Sequence, residues 1–225
     1  MPSGIKCIFL ITGFILFKNL SFSQSRWSFE LQFGGVYSLD LPLTIKQDGQ
    51  PDIRIEHADY YSEPFIGPPY WNIRLSKWFK KKSLELEFVH HKFYLRNTPP
   101  EVQRFGISHG YNMLLLNHSR QIGKYIVRAG IGTAFIHAES TIRGMKYPEE
   151  SGLDLSGHKI RGLTFNLSCA RQFRLNKTFF VNAEAKVQAA FANAPVVNGY
   201  ARVNIVVFQL ILGPGVNWCV RQDTE

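Results

Sequence analysis

The chain has 225 residues, 45% of them hydrophobic and only 19% charged, a length that one barrel or sandwich domain fills. Its 18 Gly and 11 Pro are near average usage, which excludes collagen-like and low-complexity classes, and three Cys are too few for a disulfide scaffold or a zinc module. Past the N-terminus no apolar run reaches the roughly 18 residues of a helical membrane span.

Met1 to Ser23 has the three parts of a secretory signal: Lys6 as the basic start, the apolar run Cys7 to Phe17, and the small residues Ser21 and Ser23 flanking Phe22. Cleavage is expected after Ser23, leaving residues 24–225 as one domain. Losing Lys6 and Lys18, with no acids, takes the formal charge from +9 to +7. The mature Cys, Cys169 and Cys219, fall on different segments with another between them and are expected to be free thiols.

From Arg26 onward the hydrophobic period is two. Trp27, Phe29, Leu31 and Phe33 alternate with Ser28, Glu30 and Gln32. Trp71, Ile73 and Leu75 alternate with Asn72 and Arg74. Leu84, Leu86 and Phe88 alternate with Glu85 and Glu87, and Phe105, Ile107, His109, Tyr111 and Met113 share one face of the next segment. Tyr125, Val127, Ala129 and Ile131 oppose Arg128, then Leu163, Phe165 and Leu167 oppose Asn166. Phe179 to Val187 opposes Asn182, Glu184 and Lys186. The last segment, Arg202 to Trp218, keeps Phe208, Leu210 and Leu212 in phase. These are eight candidate strands and no useful amphipathic helix, an all-β chain.

Eight long strands close either into a soluble barrel with an apolar interior or into a membrane barrel turned inside out. The polar face collects Glu30, Arg74, Glu85, Glu87, Arg104, Arg128, Glu184 and Lys186, four acids and four bases. Three features favour the membrane version. Trp27, Trp71, Trp78, Tyr94, Tyr125, Phe173, Phe179 and Trp218 stand at strand ends, as interfacial girdles do. Short turns near Lys80-Lys81, 119–124 and 174–177 alternate with longer links at 44–52, 96–102, 144–157 and 190–199. The export signal and the even strand count agree with them. A soluble, lipocalin-like binder is the competing architecture.

In these respects the chain resembles the eight-stranded bacterial outer-membrane barrel superfamily, with its OmpA-type domains and lipid A-modifying barrels. The leader ending Ser-Phe-Ser-Gln-Ser is similar to those of Bacteroidetes exported proteins. The resemblance implies an antiparallel up-and-down transmembrane barrel in the Gram-negative outer membrane, in contact with its lipids and inserted by the barrel-assembly machinery. One fold hosts many activities, so function needs the residues themselves.

A two-residue turn at Lys80-Lys81 sets Arg74 opposite Glu87 on the inner face. Eight strands leave room only for side chains, so Glu30, Arg74, Glu85, Glu87, Arg128, Glu184 and Lys186 are expected to form a neutralising plug, not a conducting path, although the chain is porin-like in its wall. Centring the 96–102 loop places His90 opposite His109, both lipid-facing beside Phe88, Ile107 and Tyr111, and His91 opposite Ser108 inside. Lipid A deacylases of the superfamily use a His–Ser pair with an acidic partner on the outer wall. This sequence is similar in His109 and Asn112, but departs at Tyr111, where such an enzyme has Ser, and Ser108 reaches that face only through a bulge.

No metal or cofactor is expected, because the His residues split across two faces, and export argues against nucleic acid. Lys80-Lys81-Lys82 reads as a solvated turn. Gly130-Ile131-Gly132 lies within a strand, where it relieves crowding, and Pro64, Pro68 and Pro69 mark an irregular entry to the second strand. The expected role is structural or surface-interacting, with the loop 144–157 as its most exposed part. The alternative is a lipid A-modifying hydrolase acting through His109, with Ser108 and His90.

Overall fold

The structure is a computed structural model, and it describes residues 25–62, 70–136, 138–147 and 160–219, without the side chains of Ser25, Ser108 and His109. The leader, Pro64, Pro68, Pro69 and most of the 144–157 loop lie outside the described residues.

The strands, in chain order, are β1 (Ser25–Ser38), β2 (Leu41–Gln47), β3 (Ile53–Ala58), β4 (Tyr60–Tyr61), β5 (Trp71–Phe79), β6 (Lys82–Leu95), β7 (Val102–Ile122), β8 (Tyr125–Ile136), β9 (Glu139–Ile142), β10 (Met145–Lys146), β11 (Ile160–Arg174), β12 (Phe179–Val196) and β13 (Gly199–Cys219). Eight of them, β1, β5, β6, β7, β8, β11, β12 and β13, pair antiparallel in that order, and β13 closes on β1. The fold is an eight-stranded antiparallel up-and-down β-barrel, and closure removes every sheet edge along these strands.

The five extra strands lengthen the barrel at the end away from the short turns. Where β1 leaves β13, at the Ser38–Val207 pair, β2 takes over from Leu43–Val203 to Gly199–Gln47. In the same way β4 continues β5 along β6, and β9 continues β8 along β7. We call the short-turn end the lower half and this extension the upper half.

Two connections differ from the sequence reading. The segment 44–52 is no open link: β2 and β3 form a hairpin through it. The segment 190–199 is strand on both sides of a tight turn at Val197-Asn198, with Asn198 at φ 55°. Ala190, Ala192 and Ala194 keep the inward alternation there, and their small size hid it as a strand.

Alternation holds throughout, yet its hydrophobic sense reverses along the axis. In the lower half the outward residues are apolar and exposed, among them Phe29, Leu75, Leu86, Leu116, Ile131 and Phe165, while Glu30, Arg74, Glu85, Glu87 and Arg128 are buried inside. In the upper half Leu43, Ile45, Phe93, Phe105, Ile107, Tyr111, Val203 and Ile205 fill the interior as one apolar cluster. The outside there carries ion pairs such as Lys46–Asp52, Arg54–Glu56 and Arg96–Asp59.

The reversal corrects one assignment. Phe105, Ile107, Tyr111 and Met113 do share a face, but they face the core and not lipid. A second correction concerns register. Between the His91–Tyr111 and Phe93–Ile107 pairs, β7 has three residues where β6 has only Lys92. Gly110 sits in that bulge at φ 120°, a conformation L side chains avoid, and a Cβ there would stand 2.4 Å from Asn112 Oδ1.

The aromatic residues also sort differently. Trp27 stacks on Trp218 with centroids 6.5 Å apart at the lower rim, where Tyr125, Phe173 and Phe179 are exposed too. Trp78 is not a girdle residue: it is buried inside, its Nε1 donating to Ser28 Oγ at 3.0 Å. Tyr94 belongs to the upper half, where it meets Tyr61. Cys169 and Cys219 are free and exposed.

Candidate functional site

The interior of the lower half is a single ionic cluster with fully buried side chains. The Lys80-Lys81 turn sets the β5–β6 register, which pairs Arg74 with Glu87. Closure of β1 between β13 and β5 then brings Glu30 beside Arg74. Arg74 is the hub. Its guanidinium grips Glu184 with two parallel bonds of 2.8 and 2.9 Å, and it reaches Glu30 at 3.0 Å and Glu87 at 3.1 Å. Glu85 stands 3.6 Å from its Nε. The planar fork of Arg supplies such multiple, directional bonds where a Lys would supply a point charge.

Arg128 is the second centre, donating from Nε to Glu85 at 3.0 Å and from Nη1 to Glu184 at 3.4 Å, with Glu30 3.6 Å from Nη2. Lys186 binds Glu87. Arg104 does not join them. It lies outside on the upper half, 57% exposed, paired with Glu139 at 2.6 Å. Its strand segment lies beyond the bulge, on the outer side of the apolar cluster.

The cluster therefore holds four carboxylates and three cations. Neutral amides complete it: Asn182 donates to Glu30 at 2.9 Å, Asn117 to Glu87 at 2.6 Å, and Asn72 to Glu87 at 2.5 Å. Gly130 makes room for one of these, since a Cβ there would lie 1.7 Å from Asn117 Oδ1. Among the described residues no group of His, Cys, Asp and Glu has the arrangement of a metal site.

Above the ions lies a layer of neutral polar contacts. Tyr70 donates to Gln209 at 2.7 Å, Gln209 to Gln188 at 2.9 Å, and Gln188 to Thr164 at 3.4 Å. The apolar cluster begins directly over it. Ions, amides and hydrocarbon thus follow one another up the interior of the barrel, an arrangement that suits it to hold its shape.

The histidines stand at this boundary, but not as expected. His90 is opposite Asn112, not His109, and His91 is opposite Tyr111, not Ser108. The bulge accounts for two residues of this three-residue slip, and the 96–102 connection is itself one residue off centre, since Phe93 pairs with Ile107. The His90 ring stacks on Trp71 with centroids 5.5 Å apart, its Nδ1 is 2.7 Å from Asn112 Oδ1, and only 6% of the residue is exposed. His91 points inward, packed by Tyr70 and Phe93. Its Nε2 lies 3.2 Å from Ser62 Oγ, which also donates to the Lys92 carbonyl at 3.0 Å. Sequence reasoning missed Ser62, whose neighbour β4 is only two residues long and follows no alternation. Ser108 and His109 are in β7 at the bulge, with side chains outside the described residues.

Fold and interior together define an eight-stranded β-barrel with an apolar lower wall around an ion-paired core. No family model matches the sequence, and no curated protein matches it either. Solved structures do show similarity. The attachment invasion locus protein Ail of Yersinia pestis is 12% identical over 87% of this chain and 98% of its own, with a TM-score of 0.40. The outer membrane protein AlkL is 11% identical over 90% and 93%, with a TM-score of 0.45. OprG, from the outer membrane of Pseudomonas aeruginosa, is 15% identical over 88% and 95%, with a TM-score of 0.38.

Proposed function

We propose that this chain is a Gram-negative outer-membrane β-barrel with a structural or surface-interaction role and no conductance. The reversal of hydrophobic sense along the axis supports this reading most directly. A wall of exposed Leu, Ile and Phe around buried charge suits lipid outside, and a polar wall around an apolar core suits water. The lower half spans the bilayer with its short turns toward the periplasm, and the upper half stands outside the cell. Ions and amides plug the span while hydrocarbon seals the upper half, so no water path is left.

Heat-modifiable gel mobility and planar-bilayer recording test this together. A folded barrel that inserts without conductance steps is the expected result. Failure to insert, or open-channel steps, would refute it.

Lipid hydrolysis at the outer wall through His109, Ser108 and His90 is the second reading; the Ser62–His91 contact does not serve it, since His91 is buried inside and the Ser62 hydroxyl donates to the Lys92 carbonyl. The acids of β6 do not serve it from outside, since Glu85 and Glu87 are inside and engaged. Mass spectrometry of lipid A from membranes with and without the barrel decides between the two. An acyl chain lost only where the barrel is present, and restored by His109→Ala, would make it an enzyme.

A further inference from the structure

The lower rim carries a charge that the ionic plug does not use. Lys80 and Lys81 occupy the β5–β6 turn and Lys82 opens β6, Arg120 and Lys124 flank the β7–β8 turn, and Arg171, Arg174 and Lys177 surround the β11–β12 turn. Arg26 and Lys77 add to the ring from β1 and β5. These are ten basic residues, and no Asp or Glu of the described residues joins them at the rim. The nearest acids on the same strands, Glu30, Glu85 and Glu184, point inward to Arg74 and Arg128.

Two adjacent turns shape part of this ring into a pocket of about 580 Å³, lined by Lys80, Lys81, Lys82 and Arg120 with Phe79 and Ile122. A backbone bond of 2.7 Å from Gln121 N to the Lys81 carbonyl ties the turns together, so the bases are held side by side. Aromatic rings sit among the cations. Lys77 lies 5.4 Å from the Trp27 ring and Arg171 lies 4.9 Å from that of Phe173. Directly above begin Ile122, Tyr125 and Phe179, each more than half exposed.

We infer that this rim is a binding surface for anionic phospholipid head groups of the periplasmic leaflet, with the Lys80–Lys82 and Arg120 pocket as its strongest site. The inference rests on the membrane reading above. Cations one residue below an apolar wall stand at phosphate depth, and cationic side chains at that depth attract anionic lipid. The paired Phe79 and Ile122 offer the upper acyl segment a surface while the bases hold the phosphate. The turns are too short to reach a partner away from the bilayer, which favours a lipid over a soluble polyanion.

The test inserts the full mature chain, in a Trp71→Phe background, into phosphatidylcholine vesicles containing either brominated phosphatidylcholine or brominated phosphatidylglycerol. Quenching then reports Trp27 and Trp218 at the rim, since Trp78 is buried. Brominated phosphatidylglycerol is expected to occupy the rim about five-fold more readily, the effect of one engaged base, and the preference should fade at high salt. The combined Lys80→Gln, Lys81→Gln, Lys82→Gln, Arg120→Gln and Lys124→Gln variant, which leaves five of the ten bases, should reduce it about two-fold or more. If that variant does not fold, the changes at either turn alone should each reduce the preference. Equal quenching by both lipids in an inserted barrel would overturn the inference alone, as would a preference unmoved by the turn variants. A chain that inserts into neither vesicle would overturn the membrane reading and this inference with it.

Discussion

The two halves of the barrel contain the same kind of ion pair in opposite settings. Arg74 in the lower half has four carboxylates around it and no exposed side-chain surface, whereas Arg104 in the upper half pairs with Glu139 in view of solvent. One strand pattern serves both because a strand only separates two faces. On the membrane reading proposed above, the surroundings of each half, lipid or water, determine which face must be apolar. In the lower half the wall is apolar and the interior is charged. In the upper half the core is hydrocarbon and the wall carries the ion pairs.

Substitutions that exchange these roles give the sharpest tests. Arg74→Ala leaves four buried carboxylates to only Arg128 and Lys186 and should cost about 3–5 kcal/mol, read from urea unfolding in vesicles. Arg104→Ala should cost less than about 1 kcal/mol in the same assay, because an exposed pair contributes little. Equal costs would break the distinction between the halves. Leu116→Arg, on the exposed wall midway down β7, should cost about 2–4 kcal/mol if that wall faces lipid. Asn193→Arg, exposed on the upper wall, should stay within about 0.5 kcal/mol. Gly130→Ala forces a methyl onto Asn117 and should cost about 1–3 kcal/mol. Tyr111→Phe removes one 3.3 Å bond to the Val203 carbonyl and should cost about 0.5–1.5 kcal/mol.

Period-two alternation made the barrel strands readable from residues alone, and the Lys80-Lys81 turn was enough to fix Arg74 against Glu87. Turn length determines hairpin register, so that pairing needed nothing from the rest of the fold. The pairing of His90 needed knowledge of the bulge at 108–110, whose only local mark is Gly110, one glycine among 18. The placement of Phe105, Ile107, Tyr111 and Met113 failed for another reason. Alternation identifies a common face, but it does not say whether that face looks in or out once the hydrophobic sense reverses. Trp78 shows the same limit: an aromatic at a strand end suits a girdle, yet its parity with Arg74 and Ser76 puts it inside. Ser62 left no periodic trace.

The ionic cluster also joins parts of the chain that are made far apart. Arg74 is 110 residues from Glu184, and Asn182 is 152 residues from Glu30, with β12 and β13 the last strands made. A sheet that lacks its final hairpin keeps Glu30, Glu85 and Glu87 for Arg74 and Arg128 but lacks Glu184, to which both guanidiniums donate. The interior network is therefore complete only once the last hairpin is in place and β13 has met β1.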